Sequence, residues 1–386
     1  MAFAKNPDGR WAWVEVDLGA IRRNTRALKA KLGPGVQMMC SVKADAYGHG
    51  AVACANAMLQ AGANQLAVAT VAEGVQLRQA GITAPILMLN ECPETALDLL
   101  VQYDVMPSVY TFDFALAYGE RAAAAGKVGR YHLAIDTGMT RIGVLPVDVV
   151  EFRRNLDFHR GLECAGTFTH FATADEIEDW DFQLQANRFV EAVTAIHEEG
   201  LDTGLVHCDN TPGTILHPRA QFDMCRLGIG LYGLHPADTT RPRVTLEPAM
   251  SVRGKVTRVV RPPVGAGVGY GLTYRVAKQG VQIATVPMGY ADGLARQLSN
   301  TMEVLVNGSR ARQVGRICMD QFMLAVEPDG PRRYRPAKPV EVGDVVTVLG
   351  RDGNEEITAD EMASLRGTIN YEVTCNFGMR LEKVYV

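Results

Sequence analysis

The chain has 386 residues, 47% hydrophobic and 21% charged, with a formal net charge of −4 at pH 7. That length allows two domains with large buried cores, and the charge excludes the basic footprint of a general nucleic-acid binder and gives no reason to expect binding to anionic membranes. No apolar run reaches the ~18 residues of a membrane-spanning helix, and the opening MAFAKNPDGRWAWVEV lacks the apolar stretch of a signal peptide; the scattered, unpaired cysteines suit a reducing compartment, so a cytoplasmic location is expected.

After one helix-like run, AIRRNTRALKAKL, short β-rich runs alternate with helix-length amphipathic runs. The pattern predicts strands at VQMMCSVK (36–43), QLAVAT (65–70), APILML (84–89), VMPSVY (105–110), RYHLAID (130–136), ECAGTFTHF (163–171), GLVHCDN (204–210) and MCRLG (224–228). Stretches such as AVACANAMLQAGA, VAEGVQLRQAG, ETALDLLVQY and DFQLQANRFVEAVTAIHEEG read as the helices between them. Strands that are apolar throughout and joined by helical crossovers imply a parallel sheet covered on both faces. Eight such units in fewer than ~250 residues fit a TIM (β/α)8 barrel, with a doubly wound open sheet as the alternative. Near residue 245 the texture changes. Runs such as VQIATVPMGY, MEVLVNG and DVVTVLG alternate in polarity and are separated by Gly, Asn-Gly and Asp-Gly turns, which predicts a mostly β C-terminal domain. The expected domains are therefore 1–245 and 246–386, with HPADTTRPRVTLEP as the linker.

The eight cysteines form no C-x-x-C pair and several lie in apolar runs, which suits buried free thiols in a reducing compartment. The histidines show neither H-E-x-x-H nor H-x-x-E-H spacing, so no metal site is expected.

A TIM barrel carries its active site at the C-terminal ends of its strands. Polar groups gather there: Lys43 ends the first strand, Asp136 and the following TGMTR the fifth, His170 the sixth, His207 with Asn210 and Thr211 the seventh, and Arg226 with Gly228, Ile229 and Gly230 the eighth. The last two strand ends suit a phosphate, with the Thr211 hydroxyl, the backbone N–H groups of LGIGLYG and the Tyr47 phenol as donors. A lone lysine at a strand end is most often a solvated one. A phosphate site and an arginine around the same cavity instead suggest pyridoxal phosphate, with Lys43 as its covalent anchor.

The octapeptide KADAYGHG resembles the cofactor-lysine motif of the alanine racemases, the fold-type III family of pyridoxal phosphate enzymes. The likeness continues in order through AVATVAEGVQLRQAGITAPIL, DTGMTRIGV, THFATADE, LVHCDNT, RLGIGLYG, GVGYGLTY, PMGYADG, VGRICMDQ and TINYEVTC, nearly the whole chain. It implies an isomerase that interconverts L- and D-alanine by a two-base mechanism on a pyridoxal phosphate imine, supplying D-alanine for peptidoglycan. It further implies a homodimer with shared active sites. Lys43 matches the D-face base and Tyr270 the L-face base, the latter reaching the other subunit's site; without the resemblance, Tyr270 is an ordinary strand tyrosine. A phenol needs nearby cations to act as a base at neutral pH, and His170 and Arg226 match residues at the floor of the family's site. Arg226 corresponds to the arginine that donates to the pyridine nitrogen. Replacing it with glutamate should raise transamination. Tyr47, Thr211, Gly228, Ile229 and Tyr371 match phosphate-binding positions, and His207 and Asn210 groups that orient their neighbours. Arg141 matches the residue that contacts the cofactor ring oxygen and the substrate carboxylate, and Met319 the position whose backbone N–H holds that carboxylate from the other subunit. Tyr290, Tyr371, Asp175, Arg296 and Arg316 resemble residues lining a narrow approach to the site.

Two positions depart from the family pattern. Ala134, in HLAIDTGM, stands where many members carry a carbamylated lysine, so an anion, water or another carboxylate must hold Arg141. Asp45 stands where asparagine is frequent. A broader amino-acid racemase, acting on serine as well, is the principal alternative. A decarboxylase or aldolase of the same fold type and a non-catalytic cofactor carrier are the others.

Overall fold

The structure, a computed structural model, describes residues 9–176, 179–327, 330–378 and 380–386. The chain divides into two compact units, Gly19–Glu247 and a second comprising Met1–Leu18 with Pro248–Val386.

In chain order the elements are β1 (Ala12–Val16), which belongs to the second unit, then α1 (Leu18–Lys29), β2 (Gln37–Ser41), α2 (Lys43–Tyr47), α3 (Ala51–Gln60), β3 (Gln65–Val68), α4 (Val71–Gln79), β4 (Ile86–Met88), α5 (Leu97–Tyr103), β5 (Met106–Val109), α6 (Phe112–Ala124), β6 (Gly129–Ala134), α7 (Val149–Asp157), β7 (Leu162–Phe168), α8 (Trp180–Glu198), β8 (Leu205–His207), α9 (Thr211–Leu216) and β9 (Met224–Leu227). Strands β2 to β9 pair in sequence, all parallel, and β2 closes on β9 with Met38 opposite Cys225. The barrel expectation holds, and each of the eight predicted runs overlaps one barrel strand, with β6 and β7 starting one residue earlier than expected. Met39, Ala67, Leu87, Met106, Ala165 and Met224 form a buried cluster drawn from six of these strands. Small alanines and adaptable methionines let so many strands converge without a void.

Lys43 does not sit on the strand itself. Strand β2 ends at Ser41, and Lys43 opens α2, a single turn wound the wrong way. Ala44, Asp45, Ala46 and Tyr47 all take φ between +51° and +56°. Non-glycine residues enter that region at roughly 1–2 kcal/mol each, so the turn is held from outside. The Glu73 carboxylate accepts from Ala44 N at 2.7 Å, and also from Ala69 N at 2.7 Å. Asp45 Oδ1 accepts from Ala51 N, the first residue of α3, at 2.7 Å. The acid at position 45 thus fastens the turn to the next helix.

The second unit contains β10 (Met250–Lys255), β11 (Arg258–Val260), β12 (Gly267–Val268), β13 (Tyr274–Arg275), β14 (Gln282–Val286), β15 (Glu303–Val306), β16 (Ser309–Val314), β17 (Phe322–Val326), β18 (Val345–Asp352), β19 (Glu355–Ile357), α10 (Ala359–Arg366), α11 (Asn370–Asn376) and β20 (Glu382–Tyr385). Its main sheet runs β11-β14-β17-β16-β15-β18-β10-β1-β20, mostly β as the alternating pattern predicts. The first strand corrects the expected boundary. β1 was expected within a barrel domain of 1–245, yet it pairs antiparallel with β10 and parallel with β20. Its AWVEV pattern is that of an open-sheet strand, with Ala12, Val14 and Val16 fully buried. Local pattern could not show which sheet would take it.

Candidate active site

The floor of the barrel unit is organised around Arg226 on β9, which is 6% exposed. Its Nη1 donates to His207 Nδ1 at 2.7 Å and to the His207 carbonyl at 3.2 Å. Its Nη2 donates to the Thr169 carbonyl at 2.7 Å, to His170 Nδ1 at 3.1 Å and to the Cys208 carbonyl at 3.3 Å. The guanidinium also lies 4.9 Å from the centre of the Phe168 ring. These partners occupy both terminal nitrogens. Nε–H has no acceptor among the described residues. Burial lowers the Arg226 pKa to about 10, which leaves it cationic at neutral pH.

That cation keeps its neighbours neutral. Burial first, then Arg226, Arg141 and Lys43, hold the His170 pKa well below its ordinary value. Burial and Arg226 do the same for His207. The same causes bring buried His132, whose Nδ1 lies 2.8 Å from His207 Nε2, down to about 3. Arg226 contacts His170 directly, and Arg141 lines one small cavity with it.

Beside this floor lies a second cluster. The Asn210 side chain caps α9, accepting from Gly213 N at 3.0 Å, and so sets Thr211 at the helix start. Gly228 N donates to Thr211 Oγ1 at 2.9 Å. A Cβ on Gly228 would meet Tyr47 Oη at 2.8 Å. Thr211, Gly228 and Tyr47 therefore converge on one spot, with Ile229 following directly, and only a glycine leaves that spot open. Hydroxyls and backbone N–H groups converging without a carboxylate form a donor set suited to a phosphate. An unengaged arginine N–H suits an acceptor-only ring nitrogen. The residues present fit pyridoxal phosphate.

Arg141 follows the loop after β6, which is shaped by Asp136 Oδ1 accepting from Gly138 N at 3.1 Å and Thr140 N at 2.9 Å. Its guanidinium has no carboxylate partner among the described residues. It lines a cavity of about 20 Å³ together with Ala134, Asp136, Phe168 and His170. The space has room for about one water-sized occupant.

The second unit holds the remaining expected residues. Tyr270 is 71% exposed and flanked by Gly269 and Gly271, both with φ near +70°. It lines a cleft of about 730 Å³ with Arg258, Arg261, Cys318 and Met323. Met319 is 53% exposed, and its carbonyl accepts from Ala291 N at 3.0 Å. Tyr290, Arg296 and Arg316 are exposed, and Tyr371 on α11 is half-buried. Asp175 lies in the barrel unit, half-buried. The structure thus brings together Lys43, Tyr47, Arg141, His170, Asn210, Thr211, Arg226, Gly228 and Ile229 in one unit, and carries Tyr270, Met319 and Tyr371 on the other.

Sequence reasoning missed His132, Glu73 and Asp209. His132 has a faint signal, its position two residues before Ala134 on a strand whose alternate residues face inward. Asp209 has none. Its side chain is fully buried, Oδ1 has no hydrogen-bond partner, and burial raises its pKa well above the carboxylate range.

Comparison with known proteins places the whole chain in a family. The family description "Alanine racemase, N-terminal domain" matches residues 16–236, and "Alanine racemase, C-terminal domain" matches 249–385. An alanine racemase of Carboxydothermus hydrogenoformans is 41% identical over 379 residues, covering 98% of this chain and 100% of its own. The crystal structure of alanine racemase from Bacillus anthracis with bound L-Ala-P superposes with a TM-score of 0.90 at 38% identity, covering 100% of this chain and 96% of that one. A histidine racemase from Leuconostoc mesenteroides has a TM-score of 0.88 at 28% identity, covering 98% of each chain. The chain belongs to the alanine racemase family, isomerases that use pyridoxal phosphate.

Proposed function

We propose that this member of the alanine racemase family interconverts L- and D-alanine with Lys43 and Tyr270 as its two proton-transfer groups. The observation that carries the reading is the floor of the barrel unit. There an arginine with one unengaged N–H adjoins a carboxylate-free cluster of Thr211, Gly228 and Tyr47. Tyr47, Thr211, the backbone of Gly228 and Ile229, and Tyr371 would hold the cofactor phosphate, and Arg226 Nε would face its ring nitrogen. Bound there, pyridoxal phosphate supplies the electron sink that acidifies the α C–H of an amino acid.

Racemisation removes a proton from one face and returns one to the other, so two groups on opposite faces are required. Lys43 Nζ serves one face. Tyr270 Oη serves the other, contributed by the partner subunit in a homodimer whose sites are shared. His170 and Arg226 orient that phenol and favour its ionised form. A guanidinium does not release its protons, so the nitrogen it faces stays unprotonated and the electron sink stays moderate, which disfavours side reactions. The Arg141 fork and the backbone N–H of Met319 hold the substrate carboxylate. With alanine at position 134, the small cavity beside Arg141 takes an anion or water in place of a carbamate. His207 and Asn210 orient Arg226 and Thr211.

The eight cysteines are free and six are buried or half-buried within the barrel unit, which supports a reducing, cytoplasmic setting in which the product D-alanine feeds peptidoglycan. No helix of the described residues is long and apolar enough to cross a membrane. The likeness to a histidine racemase keeps a broader specificity as the second reading.

The deciding experiment follows optical rotation of L-alanine, and separately of L-serine, with the purified protein, pyridoxal phosphate and a Lys43→Ala control. Alanine rotation decaying far faster than serine, with a flat control, supports the proposal. Comparable serine decay moves the assignment to a broad racemase. No decay in either sinks the reaction class, and carbon dioxide or aldehyde release would then identify a decarboxylase or an aldolase.

A further inference from the structure

The Arg226–His207–His132 chain has a direction that its chemistry dictates. A guanidinium only donates, so His207 Nδ1, 2.7 Å from Arg226 Nη1, must accept. The single proton of a neutral His207 ring then resides on Nε2, which points at His132 Nδ1 over 2.8 Å. If His132 donated instead, both nitrogens of His207 would accept and the ring would be an imidazolate, which neutral pH does not permit. His132 Nδ1 therefore accepts, and its own proton lies on Nε2. Both rings are fully enclosed, at 0% and 1% exposure. Removing the acceptor at His132 would leave the buried Nε2–H of His207 without a partner. Arg226 would still require Nδ1 to accept, so the tautomer would stay and the ring would lose the contact that fixes its orientation from the other side.

The surrounding strands are shaped for this contact. A Cβ on Gly166 of β7 would sit 2.4 Å from His132 Nδ1 and 2.5 Å from its Cε1. The β6–β7 register shifts between Tyr131 and His132, which displaces the histidine along the strand. The Phe168 ring stacks on His207 at 5.2 Å between centroids, with the planes 14° apart. Glycine, register shift and stacking ring all serve one geometry.

We propose that His132 is a positioning residue for the reaction: by accepting the Nε2–H of His207 it holds the ring with Nδ1 turned to Arg226, and so fixes the plane in which Arg226 presents its Nε–H to the cofactor ring. The last step rests on the reading of Arg226 given above; the direction of the chain does not.

The test uses wild-type protein labelled with ¹⁵N-histidine, with and without pyridoxal phosphate, and a long-range ¹H–¹⁵N spectrum that reports ring tautomers. Resonances are assigned by loss in single variants. His132 and His207 are expected as neutral Nε2–H tautomers at pH 7 in both states. An Nδ1–H His207, or an imidazolium at either position, overturns the proposal. Two variants then separate positioning from packing. His132→Leu removes the acceptor, and should shift and broaden the His207 Nε2–H signal without changing the tautomer, lower kcat about tenfold and leave KM within about twofold. His132→Gln supplies Oε1 as an acceptor and should restore the wild-type His207 signal and most of kcat. Equal losses in both variants, or a His132→Leu protein with wild-type His207 signals and kcat, overturn it. A wild-type protein with the expected tautomers but no racemase activity would sink the functional reading while leaving the direction of the chain in place.

Discussion

Asp209→Asn should stabilise the protein, and by an amount that depends on pH in a stated way. The Asp209 carboxyl is fully buried, Oδ1 has no partner, and Oδ2 has only the weak Cys225 thiol at 4.0 Å. A Cβ on Gly213 would come within 2.6 Å of Oδ1, so that side offers no room for water. Burial raises its pKa well above the carboxylate range, opposed only by Arg226. The folded state therefore carries a proton that the unfolded state releases at a pKa of about 3.9. Keeping that proton destabilises the fold increasingly as pH rises above about 3.9. Asparagine removes the titration but leaves an unsatisfied amide worth roughly 2 kcal/mol. The gain is therefore expected to grow as pH rises and to shrink on acidification, with a slope of at most about 1.4 kcal/mol per pH unit, the value for one proton. Urea unfolding of both proteins between pH 5.5 and 8, at one saturating cofactor concentration, reads it directly. A difference that does not change with pH would mean that Asp209 is ionised in the fold, and the reasoning fails. A neutral Asp209 also leaves the charge of Arg226 uncompensated, as a site for an anionic cofactor requires.

Acid lability should have the opposite sign and come from the histidines. His132, His170 and His207 have folded pKa values held below 6.5 by burial and Arg226. Their contribution is complete above about 6.5 and is lost as pH falls toward 3, because the unfolded chain binds the protons first. Proton uptake on unfolding at pH 5 should rise by about one in Asp209→Asn, whose folded carboxyl no longer offsets a histidine; calorimetry in buffers of different ionisation enthalpy measures it, and unchanged uptake would contradict both assignments. Gly228→Ala places a Cβ 2.8 Å from Tyr47 Oη and should weaken pyridoxal phosphate binding about tenfold; unchanged affinity by fluorescence titration rejects the phosphate cluster. Ala44→Gly, at φ +51° in an exposed position, should leave stability equal or raise it by up to ~1 kcal/mol, since relief of left-handed strain exceeds the entropy glycine adds to the unfolded chain. A loss of the ~1 kcal/mol that glycine costs in an ordinary helix would show that the turn is not left-handed in solution.

Much of this protein is determined by its sequence alone. The eight barrel strands are local apolar runs between helical crossovers, and a parallel sheet buried on both faces admits little else. The rule that barrel chemistry collects at strand C-termini then assigns Lys43, His170, Thr211 and Arg226 to one end of the barrel. What tertiary structure decided is of another kind. Whether β1 joined the barrel or the sheet depended on β10 and β20, both more than 200 residues away, and strand pairing over such distances leaves no local trace. The left-handed turn after Lys43 contains two alanines, which declare nothing, and exists because Glu73 holds it from α4 and its own Asp45 ties it to α3. Asp209 reads as an ordinary acid in HCDNT; only burial makes it neutral. His132 reads as one more polar residue in RYHLAID; only the approach of β8, across a glycine on β7, gives it a partner. Residue type and spacing determine which groups exist and which face they share. Protonation, tautomer and strain arise from what the rest of the chain packs against them.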